Sequence, residues 1–420
     1  MRAAKNIFAN IDKTSILLYL ILMIFGWINI YASQYNEDTS ILLDINSRYG
    51  KQLLFICIAC FIGFLTLIIH WKFYYSLSYL FYIIIILLLI IVLFKGSVVG
   101  GASSWFAINK FKFQPSEFAK FTTALAIAKY YNNLHIKRIS LAERIKTYSI
   151  IILPFLLIIL QNDLGTALIF SGFILVLYRE GLSGNILILG LIITILFVVT
   201  LIMKKAILIG ILSCIAIIVY LFSRKKMKEL VLIMSVLFSC TFFIFSVDYI
   251  FNDMLSAHHK KRINILLGKE FDPQGAGYNL IQSKIAIGSG GLTGKGFLNG
   301  TQTRFDFVPE QSTDFIFCTI GEEWGFLGSL LFIILFIGLL VRILFLAERQ
   351  RSNFSRIYGY SVASILFIHL LINIGMTIGL LPTIGIPLPF ISYGGSSLIG
   401  FTILLFIFLN LDSYRLQILR

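Results

Sequence analysis

The sequence predicts an all-α fold, a polytopic transmembrane helical bundle with one large loop, and three observations predict it. Of the 420 residues, 58% are hydrophobic and only 13% charged, against about a quarter charged in a soluble domain. Mean hydropathy is +0.90. Apolar runs of about twenty residues, the length that crosses roughly 30 Å of hydrocarbon, recur from end to end. A soluble enzyme, a disordered chain and a disulfide-knit secreted scaffold are excluded by the same figures. Thirty-five Lys+Arg against 20 Asp+Glu give a formal charge of +15, yet hydrocarbon stretches separate the basic clusters, which excludes nucleic acid as the partner.

Twelve runs qualify as spans: 14–33, 52–70, 76–95, 115–131, 147–161, 164–178, 184–202, 206–222, 229–250, 315–341, 357–380 and 394–412. The first follows Arg2, Lys5 and Lys13 with no small-residue cleavage site after it, so it reads as a span rather than a removed signal. The fifth and sixth are short and parted by Asn162 and Asp163. Lys and Arg set the orientation. With both termini cytoplasmic, that side holds 20 of the 35 basic residues, including the 129–146 cluster and the 224–228 run. Lys204 and Lys205, on a tight outward turn, go against the rule. The segment 251–313 is then an outward loop of roughly sixty residues, rich in Gly and in charge, and loops that long are usually functional. Its stretch IAIGSGGLTGKGFLNGTQ is expected not to form a regular helix.

Charge inside a span costs on the order of 2.5–3.5 kcal/mol per residue and therefore marks function or pairing. In FQPSEFAKF, Pro115 suits a first helical turn, and Glu117 and Lys120 share a helix face, as a structural ion pair or as the lining of a polar cavity. In QNDLGTAL, Asp163 reads as the cap of the next helix or as a catalytic acid. In FVPEQSTDFIF, Asp314 opens a long span beside Phe315 and Phe317, as a helix cap or as a half-shielded proton acceptor. Glu322 and Glu323 follow about 12 Å deeper, needing Lys120 or a water cavity as company. The loop supplies Lys260, Lys261, Arg262, Lys269, Lys284, Lys295 and Arg304. Backbone N–H groups of a Gly-rich segment with lysines nearby make an anion cradle, and the same basic residues also suit anionic lipid head groups. GSGGLTGKG is not a P-loop, since Ser289 stands where the first Gly belongs and Gly296 follows Lys295. Adjacent His258 and His259 lack the spacing of metal ligands. The five cysteines, Cys57 and Cys60 among them, lie in apolar runs and read as small hydrophobes, so neither a disulfide nor a fixed protein metal site is expected.

Five motifs in order over about 300 residues, FQPSEFAK, QNDLGTAL, YNLIQSKIAIGSGGLTGKGFLNGTQ, VPEQSTDFIF and NIGMTIGLLPTIGIPLPFISYGGSSL, closely resemble the SEDS family of bacterial cell-wall polymerases, whose members include RodA and FtsW. GTQ (300–302) and IPLPFISYGGSS are more similar to the elongation member, RodA. The resemblance implies a peptidoglycan glycosyltransferase that polymerises lipid II during elongation, at the outer face of the bacterial cytoplasmic membrane. The implied partners are a class B penicillin-binding protein that cross-links the glycan, other elongation-complex proteins and membrane lipids. It places the family's essential Asp at Asp314 and family-typical charges at Glu117, Lys120, Asp163, Arg262, Lys284 and Lys295. Two departures stand out: GASSW carries Ser104 where the family usually has a basic residue, and the region 184–250 has three spans for the family's one, an inserted hairpin of about fifty residues. Lipid II leaves as a diphosphate, which needs charge stabilisation more than a proton, so one carboxylate suffices where a glycosidase uses two. Asp314 would take the proton of the acceptor 4-hydroxyl, inverting α to β, while Arg262, Lys284, Lys295 and Arg304 hold the diphosphate. No tightly bound cofactor is expected, and a divalent cation, Mg or Mn, would arrive with the substrate. The rival readings are a lipid-precursor flippase, which needs polar residues along a path across the bilayer, and a non-catalytic scaffold, which leaves the loop's basic residues without a task.

Overall fold

The computed structural model describes residues 10–35, 44, 47–99, 101–108, 111–134, 141–223, 226–255, 257–270, 272, 277–304 and 307–415. Of the residues used above, Arg2, Lys5 and parts of the 129–146 and 224–228 clusters lie outside these, as do the side chains of His258 and His259. The helices, in chain order, are α1 (Lys13–Ala32), α2 (Arg48–Ile68), α3 (Trp71–Lys95), α4 (Pro115–Asn133), α5 (Leu141–Leu160), α6 (Leu164–Ile169), α7 (Phe173–Arg179), α8 (Gly184–Ile202), α9 (Lys205–Phe222), α10 (Met227–Tyr249), α11 (Ala257–Leu266), α12 (Tyr278–Gly290), α13 (Thr301–Arg304), α14 (Ile316–Glu348), α15 (Asn353–Thr377) and α16 (Gly395–Ser413). Among the described residues, nine helices are long and apolar enough to cross a membrane. Each of the twelve apolar runs falls on helix. Those not among the nine are α4, with Glu117, Lys120 and Lys129 in it, α5, and the short pair α6–α7, joined by a 3-10 turn. The protein is a multi-pass helical membrane protein.

The chain divides into two compact units, 1–180 with 279–420, and 181–278. In the first, α4 is the central helix, packed against α3, α5, α15 and α16. Pro115 occupies its first turn, and Ala119, Ala124, Ala126 and Ala128 are all buried, the small side chains that let helices approach in lipid, where no hydrophobic force drives them together. Around it α16 lies on α2, α14 on α15 and α1 on α14. Both α15 and α16 are 72% buried over their most apolar stretch, whereas α3 is 22% buried and turns Ile83, Ile84, Leu87 and Ile91 outward, as a lipid-facing helix should.

The two ends of this bundle differ in chemistry. At one, ion pairs join the helix termini: Arg342 with Asp12, Arg349 with Asp412 at 2.6 Å, Arg179 with Glu348 at 2.9 Å and Arg356 with Glu180 at 3.0 Å. Asp12 also caps α1 by accepting the Ser15 N–H at 2.9 Å. Burial pushes its carboxyl up, but Arg342 and Ser15 outweigh that and hold it below the ordinary carboxylate value. The other end carries hydroxyl and amide groups and a small antiparallel sheet the sequence pattern did not reveal. Its strands β1 (Ser97–Val99), β2 (Ala102–Ile108) and β3 (Phe111–Phe113) lie in that order between α3 and α4. Strands of three and seven residues with one face of mixed polarity leave too little period-2 signal to recognise.

In the second unit α10 packs on α8 and α9 and continues into a π-helical turn, Ile250–Met254. Lys205, one of the two outward lysines, is paired with Asp248, which also accepts from Asn252 at 3.0 Å, and Lys269 donates to the Leu201 carbonyl at 2.5 Å at the end of α8. Lys261 forms an ion pair with Asp272 at 2.6 Å.

The segment 251–313 is more ordered than expected, holding the π turn, α11, α12 and α13. The expectation that its Gly-rich stretch avoids regular helix fails over Ile285–Gly290, which forms the last turns of α12. Glycine costs about 1 kcal/mol in a helix, but here it permits contact: a Cβ on Gly290 would sit 2.0 Å from the Gly321 carbonyl oxygen of α14.

Candidate active site

The hydroxyl-rich end of the first unit is built from chain ends that converge on residues 311–314 and 384–394. Gln311 donates to the Ser33 carbonyl at the end of α1 (2.7 Å), and Arg48, in the first turn of α2, donates to Ser312 Oγ (2.8 Å). Ser392 Oγ donates to the Thr313 carbonyl (2.6 Å) and accepts the Leu388 N–H (2.8 Å). Gln52 donates to the Ser392 carbonyl and accepts the Gly394 N–H. Asn373, on α15, donates its amide to both the Asp314 carbonyl (2.8 Å) and the Ile386 carbonyl (2.7 Å). Asp314 therefore sits where both its own carbonyl and its neighbour's are fixed, in the turn just before α14. Its half-buried carboxylate lies over the chain at Gly385, where an added Cβ would come 3.2 Å from Oδ2. Gly385 has φ +77°, a conformation that glycine adopts without strain, and a side chain there would also crowd the Asp314 carboxylate.

Behind this surface lies the buried charge. Lys120 donates to Glu117 at 2.8 Å, one turn apart on α4, and stands over the Phe401 ring at 4.6 Å. It also meets His369 Nε2 of α15 at 2.9 Å. Asp163 caps α6 through the Thr166 N–H (3.0 Å) and accepts from Thr166 Oγ1 and from Gln114, the residue preceding α4. The α6 start is pressed on the same loop as Asp314, since a Cβ on Gly165 would meet the Ile384 carbonyl oxygen at 3.0 Å. Asp314 borders this loop at Gly385, and Lys120 reaches it through His369, whose Nδ1 meets the Pro387 carbonyl at 3.2 Å.

Glu322 and Glu323 belong to a different arrangement. The sequence reading offered Lys120 or water as their company, and the structure gives Glu322 instead to the Gly-rich segment. It accepts from Lys295 Nζ (2.7 Å), from the Gln302 and Thr303 N–H groups (both 2.9 Å) and from Thr303 Oγ1. The reason is a break in α14 at Gly325, where φ is +65° and ψ −161°. The backbone groups the break releases are taken up by residues 291–296: Lys295 N–H donates to the Glu322 carbonyl and Gly296 N–H to the Glu323 carbonyl (3.0 Å each), while Phe326 and Leu327 N–H donate to the Gly291 and Leu292 carbonyls (2.9 and 3.0 Å). The Gly-rich N–H groups expected to cradle an anion are in this way partly used: those of Gly294, Lys295, Gly296 and Asn299 all donate to backbone carbonyls. A broken helix in hydrocarbon must satisfy its own polar groups, and this demand takes precedence.

Of the remaining basic residues, Lys284 is exposed and lies along Gly379 at the end of α15, while Arg304 stacks over Tyr35 at 5.8 Å from the ring centre. Arg262 is on α11 in the second unit. Among the described residues no three His, Cys, Asp or Glu side chains gather as metal ligands. Ser104 is buried in β2. Residues the sequence reading missed are Arg48, Gln52, His369, Asn373 and Ser392. His369 and Asn373, polar groups four apart in a span, carried a usable signal in their insertion cost. Arg48 carried another, as a basic residue just before the expected span 52–70.

Comparison with known proteins accords with this geometry. The FtsW/RodA/SpoVE family model, described as "Cell cycle protein", matches residues 12–209 and 179–417. The peptidoglycan glycosyltransferase MrdB of Escherichia coli K12 is 36% identical over 306 residues, 72% of this chain and 69% of that one. The peptidoglycan glycosyltransferase RodA of Treponema pallidum is 29% identical over 417 residues, 93% and 94% of the two chains. A chain from a peptidoglycan synthase complex, solved to show how polymerisation and crosslinking are coordinated, superposes with a TM-score of 0.69 at 26% identity, covering 97% of this chain and 99% of that one. Thermus thermophilus RodA shares the fold, with a TM-score of 0.62 at 23% identity, 96% and 97% covered. With the family model spanning nearly all of its length and a relative 36% identical over 72% of it, this chain belongs to the FtsW/RodA/SpoVE family.

Proposed function

We propose that the protein is a peptidoglycan glycosyltransferase of the elongation type that polymerises lipid II, with Asp314 as general base, at the outer face of the bacterial cytoplasmic membrane. The observation that carries this reading is the seat of Asp314. It is a half-exposed acid in a turn whose carbonyls are fixed by Asn373 and Ser392, at the end of the bundle free of the terminal ion pairs. A base held this way keeps its reach to a hydroxyl proton without reorganising. As the acceptor 4-hydroxyl attacks the anomeric carbon, the C–O bond to the diphosphate breaks, the proton passes to Asp314 and the diphosphate leaves with the bond's electron pair. No acid need protonate that leaving group, in keeping with a single carboxylate. Lys284 and Arg304 are the cations of the first unit assigned to it, and Arg48 joins them from its place on Ser312. Lys295 is tied to Glu322, so its share is to hold the broken helix together. A divalent cation is placed with the substrate's diphosphate and not on a set of protein ligands. The partner proposed is a class B penicillin-binding protein, a reading supported by the likeness to a chain from a synthase complex.

The test is polymerisation of labelled lipid II by detergent-purified protein with that partner, followed on gels. Asp314→Asn is expected to lower the rate at least 100-fold, the usual worth of a general base, with an unchanged melting temperature. Glycan made by the Asn variant at the wild-type rate would remove Asp314 from the chemistry.

A further inference from the structure

The buried histidine on α15 is engaged on both ring nitrogens, and the identity of its partners fixes its state. Lys120, as an ammonium, has only donors. His369 Nε2, 2.9 Å from Lys120 Nζ, must therefore be the acceptor, and the ring proton is on Nδ1, which donates to the Pro387 carbonyl at 3.2 Å. Phe401 meets the ring edge-on at 4.7 Å. One turn along the same helix, Asn373 donates to the adjoining carbonyl, that of Ile386, and with the same amide group to the carbonyl of Asp314. Two consecutive carbonyls of the loop are thereby gripped by two side chains four residues apart on one helix face. The residue just before them, Gly385, is the one that backs the Asp314 carboxylate.

We infer that His369 is a positioning residue for the transfer reaction: anchored by the Glu117–Lys120 pair, it fixes the 385–387 backbone that seats Asp314. The inference rests on Asp314 as the base. It gives the buried charges of α4 a task, since the ammonium both orients the imidazole and selects its tautomer. A glutamine can make both contacts, its carbonyl accepting from Lys120 and its amide donating to Pro387, and a phenylalanine can fill the space while making neither.

The experiment uses the full chain with its penicillin-binding partner and measures lipid II polymerisation as a function of lipid II concentration, for His369→Ala, His369→Gln, His369→Phe and Asp314→Asn. The Ala and Phe variants are expected to lose at least tenfold in kcat with KM within twofold of wild type, and Gln to recover kcat to within threefold. If Ala does not fold, as judged by thermal melting, the volume-filling pair Gln and Phe decides. Equal kcat for Gln and Phe, a wild-type kcat for Ala, or a loss confined to KM each overturns the positioning role. The Asp314→Asn arm separates the two ideas. A fully active Asn variant overturns the base assignment itself, whereas an inactive Asn variant beside fully active His369 variants overturns only the positioning.

Discussion

A buried charge constrains its surroundings more than any apolar residue does, and in this protein the constraint is sharpest at Glu117 and Lys120, both almost wholly inaccessible. Removing one member of such a pair strands the other and typically costs about 3–5 kcal/mol, while replacing both with apolar residues costs far less. Glu117→Leu is therefore expected to lower stability by about 3–5 kcal/mol, and adding Lys120→Met to recover most of that, measured by unfolding in detergent. Equal losses in the single and double variants would show that the two side chains do not depend on each other. The same energetics decided which site residues could be read in the sequence. Asp314, Asp163, Glu117 and Lys120 stood out because an ion in hydrocarbon needs a reason. His369, Asn373 and Gln52 are neutral: insertion cost marks the first two as polar groups in a span, but their partners lie 249, 59 and 340 positions away, which no local pattern conveys. Glu322 stood out too, but its partner did not: Lys295 lies 27 residues away, in a segment whose glycines suggested an anion.

At the scale of elements, the helices were legible because hydrophobic length is a bulk property that survives small errors of register, and each expected run falls on helix. What the sequence concealed is where a helix stops being one. The expected span 315–341 became Ile316–Glu348 with a positive-φ break at Gly325, paired with the turns after α12. Gly294 marks a point of close approach with a positive φ: φ is +82° and a Cβ there would lie 2.1 Å from the Glu323 carbonyl oxygen. Gly294→Ala is expected to cost more than the roughly 1–2 kcal/mol of left-handed backbone strain alone. Gly338, in the regular part of the same helix with open space around it, is the control. Its change to Ala is expected to stabilise by about 0.5–1 kcal/mol. Thermal melting of the two variants side by side checks both, and a Gly294→Ala protein as stable as wild type would refute the interlock.

For the molecule as a whole, the two ends of the first unit differ in charge: Arg179, Arg342, Arg349 and Arg356 gather at one end and Asp314 lies at the other, so the bias toward cytoplasmic arginine and lysine predicts that the arginine end faces the cytoplasm. Lys205, which seemed to break that bias, has its charge met by Asp248. Fusions of a reporter active only outside the cytoplasm are expected to be active when joined after residue 293 and silent after residue 351. The reverse pattern would put the proposed base on the wrong side of the membrane for lipid II. The break in α14 has a bearing on how the chain is made. Residues 291–304 precede α14 in the chain, so the groups that satisfy the interrupted amides around Gly325 are already synthesised when that helix emerges from the ribosome.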